Sequence, residues 1–292
     1  MILDLKDMSL IQRQHYLQHG IAPRPICFAS TIDNAGRVNL SPFSYFNIFS
    51  INPPIVVFSP SRRMRDNTIK HTLENMMEIP EVVINIVDYD MIHQTSLASC
   101  EFPKGENEFV KAGFREEQAT LVRPPMVKES KFRMECSVAE IKALGLEGGA
   151  GHLVICEILR LHINDSILDE RHHIDQRRLH HVARMGGDWY CKIDESNLFQ
   201  VQKPNSNLGI GIDYLPASLR HSNILTGNNL AQLANVEEIP TINPAFDDGR
   251  LRNIFQYYSV SPAEMENELH IYAKELLDKG KVMDAWQVLL AL

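Results

Sequence analysis

Apolar positions come in short runs through the first two thirds of this chain and settle into helical spacing only near its end. Residues 26–32 read as a strand, and Asp33-Asn34-Ala35-Gly36 as a hairpin turn that returns residues 37–47 antiparallel. Pro53-Pro54 ends a loop, after which Ile55-Val56-Val57-Phe58 predicts a buried strand. The β-branched run Val82-Val83-Ile84-Asn85-Ile86-Val87 predicts another. Residues 131–143 and 152–164 read as two further strands on either side of the loop 145–151. Helices are expected at 67–77 and 91–100, and over 1–20, where Leu5, Met8 and Ile11 share a face. Strands joined by hairpins, with helices at the margins, predict a mainly β fold built on an antiparallel barrel. No GxGxxG follows a strand and no βαβ alternation is visible, which weighs against a Rossmann fold.

The pattern changes at the polar, turn-rich stretch Gln202-Lys203-Pro204-Asn205-Ser206-Asn207, so a boundary is placed near 200–208. Beyond it, Ser261-Pro262-Ala263-Glu264 predicts a capping box with Pro at the first helical position. Met265, Leu269, Tyr272 and Leu276 then form one apolar stripe, and Gly280 suits a C-cap. Trp286, Leu289 and Leu290 line a second short helix. An isolated helix of this length is marginal in water, so its stripe must be covered. The candidates are the Trp286 helix and the barrel of the same or a partner subunit, and an appendage docked on the barrel is expected. No second copy of the helix pair occurs, so a repeat array is not expected. The chain is therefore divided into a domain at 1–200 and a C-terminal, mostly helical extension at 201–292.

Composition narrows the function classes. The chain has 292 residues, 44% of them apolar, enough for a full core. Its net charge is -8, and no dense Lys/Arg patch offers a nucleic acid a basic face. Arg62, Arg63 and Arg65 make a short basic cluster suited to the phosphate of a small ligand. The five cysteines are odd in number and lack CxxC spacing, which predicts a reduced, cytoplasmic protein using Cys27, Cys136 and Cys156 as small hydrophobes. Asp4, Lys6 and Asp7 interrupt any N-terminal apolar region, so no signal peptide is expected. No apolar run approaches ~18 residues, so no membrane span is expected.

The candidate chemistry lies in four segments. In Asn39-Leu40-Ser41-Pro42-Phe43-Ser44-Tyr45-Phe46-Asn47, followed by Asn52-Pro53-Pro54, aromatic rings offer stacking surface and hydroxyls directional bonds, as a flat aromatic ligand requires. The alternative is a strand with polar residues facing water. Ser59-Pro60-Ser61-Arg62-Arg63-Met64-Arg65-Asp66-Asn67-Thr68 offers cations and hydroxyls to a phosphate, with Asp66 or Asn67 capping a helix that begins at Thr68. Arg65 and Thr68, then Asn67, are the expected phosphate ligands; the alternative is an exposed, capped helix. Gly148-Gly149-Ala150-Gly151-His152 permits close backbone approach, with His152 either structural or functional. Arg184-Met185-Gly186-Gly187-Asp188-Trp189-Tyr190 is either a site segment or a glycine bend that packs Trp189 and Tyr190 in the core. The pairs His172-His173 and His180-His181 flank a charged helical stretch without metal-ligand spacing and read as a solvated face.

Taken with Pro23-Arg24-Pro25-Ile26 and Asp33-Asn34-Ala35-Gly36-Arg37, these motifs resemble the flavin reductase-like family, from about residue 20 to about residue 192. The resemblance implies a split β-barrel with non-covalent FMN, a homodimer, and electrons supplied by NADH or NADPH. By motif alignment it places Asn39, Ser41, Phe43, Ser44 and Tyr45 along the flavin ring, and Ser59, Arg65, Asn67 and Thr68 at the phosphate side. The family's basic residue followed by Asp-Thr appears here with one extra residue, as Arg65-Asp66-Asn67-Thr68. It also implies that His152 faces the flavin pocket, that Ser99 and Cys100 approach the cofactor, and that Glu101-Phe102-Pro103-Lys104-Gly105 with Glu108-Phe109 belongs to a family loop. An NAD(P)H:flavin reductase is the implied activity. The alternatives are a flavoredoxin-type electron carrier and a small-molecule binding or interaction protein. The extension beyond residue 208 lies outside the family core.

Overall fold

The computed structural model describes residues 1–201 and 208–291, so the stretch 202–207 expected at the boundary lies outside the described residues. The chain divides into two compact units, Met1–Phe199 and Gln200–Leu292.

The first unit opens with a short 3-10 turn and helix α1 (Leu10–Gly20). The single helical face expected over 1–20 is broken, because Ser9 and Gln12 close a capping box that starts α1 afresh. Strands β1 (Cys27–Ile32), β2 (Val38–Phe43), β3 (Phe46–Ile51) and β4 (Pro54–Phe58) follow. Then come helix α2 (His71–Glu78), strand β5 (Glu81–Ile86), and helices α3 (Ile92–Ala98) and α4 (Glu108–Ala112). A two-residue pair, β6 (Glu116–Glu117) and β7 (Met126–Val127), precedes the long hairpin β8 (Phe132–Ala143) and β9 (His152–Ile163). A small hairpin, β10 (Val182–Arg184) and β11 (Tyr190–Lys192), closes the unit.

Seven strands make one antiparallel sheet in the order β2-β1-β5-β8-β9-β4-β3. Its two edge strands, β2 and β3, are joined by Ser44-Tyr45 alone. A sheet whose edges are two residues apart must curl until they meet, which makes it a barrel opened along one seam. Residues 37–47 are therefore not one return strand: the chain turns at Ser44 and starts a separate edge strand. Inside the curl lie Cys27, Ala29, Phe58, Ile84, Met134, Cys136, Val154 and Cys156, with Leu73 and Met76 of α2. The alternate positions Phe28 and Leu40 face a second cluster with Met91 and Ile92 near α3 and Phe109 of α4. Both faces of β1 are thus buried, and its polar positions Ser30 and Thr31 are enclosed with the rest. Burial pushes the Cys156 thiol up to about 12, and Cys27 and Cys136 upward too, so the three are packing groups.

The second unit holds helices α5 (Ala217–Arg220), α6 (Gly227–Ala234), α7 (Gly249–Tyr257), α8 (Pro262–Asp278) and α9 (Val282–Leu289). The α8 stripe is covered within this unit. Leu269, Tyr272 and Leu276 are buried among Leu233, Leu251, Ile254 and a fully enclosed Trp286, with Met265 packed against them. The Trp286 indole donates to the Leu233 carbonyl at 3.2 Å. The stripe therefore needs no barrel surface, which removes the reason given for docking. The Ser261 capping box does not form: among the described residues its side chain makes no cap bond, and α8 starts with Pro262 in its first turn. Gly280 is at φ +73 after the last turn, the left-handed stop expected of it. Among the described residues, no helix is long and apolar enough to cross a membrane.

Candidate functional site

Two neighbouring features form the candidate site. The first is an open cleft with about 520 Å³ of empty space, lined by Ile26, Phe43, Ser44, Ser96, Arg184 and Tyr190 among others. Pro42, Phe43 and Ser44, at the barrel seam, supply one wall and α3 supplies another. Phe43 roots its wall by packing its ring 5.4 Å from that of Phe58 in the barrel interior. On the rim, Arg184 and Tyr190 are direct cross-strand partners, and the Arg184 guanidinium lies 4.5 Å from the ring centroid.

The second feature is a cationic loop. Asp66 accepts from the Thr68 amide at 3.0 Å and from its hydroxyl at 2.6 Å. Asn67 adopts φ 57, a left-handed conformation that Asn tolerates. These local bonds make a tight turn, so the expected helix from Thr68 does not form. Helix α2 begins at His71, behind the extended Lys70. Cations rather than a helix terminus therefore face any anion here. Arg63 is the best ordered of them. It donates to the Thr68 hydroxyl at 2.9 Å, to the Ile69 carbonyl at 2.5 Å and to Glu101 at 3.0 Å. Arg65 reaches Glu101 at 2.5 Å and Lys70 reaches it at 3.4 Å. Burial would raise the Glu101 carboxyl, but the Arg63 bond and the Lys70 and Arg65 charges hold it below its ordinary value.

The two features meet through α3. Ser99 lines the cleft and Glu101, two residues on, sits among the cations, so they are at most ~7 Å apart along the chain. The glycine loop backs the cationic loop: Gly149 donates to the Arg62 carbonyl and Arg62 to the Ala150 carbonyl. A Cβ on Gly151 would stand 2.5 Å from the Ser59 hydroxyl, and one on Gly148 would press on the Arg63–Met64 backbone, so glycine is needed for this approach. A cleft for a planar ring beside cations and a hydroxyl is what a phosphorylated aromatic ligand requires.

The profile of the flavin reductase like domain matches residues 19–183, more than half of the chain. The chain belongs to the flavin reductase-like family. An uncharacterized protein of Aquifex aeolicus is 34% identical over 173 residues, 59% of this chain and 85% of its own. The solved structure of nitrilotriacetate monooxygenase component B from Bacillus cereus is 27% identical, covers 69% of this chain and 98% of its own, and superposes with a TM-score of 0.64. A Shewanella frigidimarina protein with a split barrel domain is 26% identical, covers 68% of this chain and 95% of its own, and gives a TM-score of 0.58. The split barrel expected from the family motifs is the observed fold.

The family residues are not all brought to one surface. Phe43 and Ser44 line the cleft, as do Ser99 and Arg184. Tyr45 is exposed beside them, its hydroxyl accepting from Gln18 at 3.1 Å. Ser41 lies on β2 opposite Ala29. Asn39 is buried, donating to Glu108 at 2.7 Å and accepting from Thr72 at 2.6 Å. Its amide thus anchors β2 to α4 and α2. Asn67 is similarly spent, accepting from Arg62 and donating to the Leu146 carbonyl at 3.0 Å. His152 is buried with its ring 3.4 Å from the Pro60 carbonyl, outside the cleft lining, where it steadies the turn after Ser59. Cys100 is exposed. Trp189 is 77% exposed, so the glycine bend does not bury it. Sequence reasoning missed Arg63, Lys70 and Glu101 as a cluster. Their partners are 31 and 38 residues apart in the chain, and no local motif records that distance.

Proposed function

We propose that the protein binds FMN non-covalently and reduces it with NADH or NADPH. The supporting observation is the convergence of Arg63, Arg65 and Lys70 beside the Thr68 hydroxyl, at the end of a cleft walled by Phe43, Ser44 and Tyr190. FMN supplies the hydride-accepting chemistry when bound. The protein's part is to hold and shield. Arg63 takes the phosphate, its guanidinium oriented by the Thr68 hydroxyl and the Ile69 carbonyl, with Arg65 and Lys70 adding charge at the surface. Phe43 and the Ser44-Tyr45 turn offer an apolar wall and backbone polar groups for a ring edge. Arg184, stacked on Tyr190 at the rim, offers a cation to an anionic second substrate. Such positioning needs no general acid or base. FMN is expected to bind at least ~10-fold more tightly than riboflavin, because a charge-assisted contact is worth roughly 1.5–3 kcal/mol. Flavin fluorescence titration measures this, and equal affinities would remove the phosphate assignment.

The functional form we propose is a homodimer. Among the described residues, α1 contributes none to the core, yet it exposes Leu10, Ile11, Tyr16 and Leu17. Edge strand β3 exposes Ile48, Phe49 and Ile51. Exposed apolar side chains on a helix and on an uncovered sheet edge ask for a partner surface, and a symmetric pair is the commonest answer. Light scattering is expected to report twice the 33.3 kDa chain mass. A 33.3 kDa species at micromolar concentration would contradict it.

A further inference from the structure

We propose that Glu101 is a displaceable internal counter-ion for the phosphate site, so that FMN exchanges as a substrate instead of staying seated. The inference rests on the FMN reading above. In the structure one Glu101 oxygen accepts from Arg63 at 3.0 Å and lies 3.4 Å from the Lys70 ammonium. The other lies 2.5 Å from Arg65. Its two oxygens thus occupy the point on which three cations converge, as two oxygens of a phosphate would. The carboxylate comes from the connection between α3 and α4, far along the chain from the loop it neutralises. Its side chain is 35% exposed, so it can swing into water without crossing a packed core.

Charge decides the competition. A phosphate monoester brings about two negative charges and three acceptor oxygens against one charge and two oxygens. It therefore takes the cations and leaves Glu101 to solvent. Part-exposed ion pairs are individually weak, so their loss lowers FMN affinity without abolishing it. Asp66 does not play this part, because it is held in its own turn by the Thr68 amide and hydroxyl as well as by Arg65. Riboflavin has no phosphate and leaves the Glu101 cluster intact.

The test is an equilibrium titration of wild type, Glu101→Gln and Glu101→Ala with FMN and with riboflavin at one ionic strength. Both variants are expected to bind FMN about tenfold more tightly and to release it correspondingly more slowly, with riboflavin affinity unchanged within about twofold. The alanine variant guards against a new bond made by the glutamine amide, so the proposal requires tightening in both. If wild type prefers FMN to riboflavin but either variant binds FMN no better, Glu101 organises the cations and the counter-ion role is wrong, while the FMN reading stands. If wild type does not prefer FMN, both fall together.

Discussion

Replacing Arg63 with Ala is expected to weaken FMN binding by about 10- to 100-fold and to leave riboflavin binding nearly unchanged. Arg65→Ala is expected to cost only a few-fold. The motif pointed to Arg65, but burial and hydrogen bonding favour Arg63. The Arg65 side chain is 67% exposed, whereas that of Arg63 is 12% exposed and fixed by Thr68, Ile69 and Glu101. A mobile, solvated guanidinium loses rotamer freedom on binding and works against screened charge. A pre-ordered one loses little of either. Fluorescence titration of each variant with FMN and riboflavin decides the order. Equal weakening of both ligands by Arg63→Ala would mean that the loop had collapsed instead of losing a phosphate contact.

The largest stability effect is expected at Glu135. This side chain is fully buried on β8 and accepts from the Thr120 amide at 3.0 Å, the Thr120 hydroxyl at 2.6 Å, and the Leu121 and Val122 amides at 2.5 and 3.1 Å. His162 on β9 lies 2.6 Å from the same carboxylate. One side chain thus satisfies a run of backbone donors in the loop between β6 and β7. Glu135→Ala strands those donors and is expected to cost about 3–5 kcal/mol, while Glu135→Gln, which keeps one acceptor, costs less. Urea unfolding of the variants measures both.

The same group sets an acid limit. Burial alone would raise the Glu135 carboxyl, but the Thr120, His162 and Leu121 bonds bring it down from 4.5 to about 2. Its folded value lies below its unfolded value, so its contribution is complete above the unfolded value. That contribution fades as pH falls from about 4.5 toward 2. The shift corresponds to a contribution on the order of 3 kcal/mol. Between pH 5 and pH 2 the wild type should lose stability more steeply than Glu135→Gln. Parallel curves would show that Glu135 does not carry this linkage.

The strands were legible where burial on both sides wrote an apolar run, as at Val82-Val83-Ile84, and where apolar positions alternate with polar ones, as at Phe132, Met134, Cys136 and Val138 of β8. Strand β3 was not, because its outward positions Ile48, Phe49 and Ile51 are apolar and erase the alternation that marks an edge. Asp66 and Asn67 were read as helix caps, but the Asp66 side chain closes a local turn on Thr68 and the Asn67 side chain is held by Arg62 and the Leu146 carbonyl. The Ser9–Gln12 box formed without being foreseen, whereas the expected Ser261 box did not form. At the site, Phe43, Ser44 and Arg184 could be found because they sit in short motifs. Asn39 belongs to the same motif, yet its amide is spent on Glu108 and Thr72, contacts 69 and 33 residues away that one-dimensional spacing does not carry.

Anaerobic reduction is the most direct measurement of the central claim. The purified protein is loaded with FMN, freed of oxygen and mixed with NADH or with NADPH while the oxidised flavin absorbance is followed. The account predicts bleaching of the flavin band by at least one nicotinamide, much faster than free FMN bleaches under the same conditions, and a clear loss of that rate in Arg63→Ala at limiting FMN. A protein that retains FMN but is bleached by neither nicotinamide would contradict it.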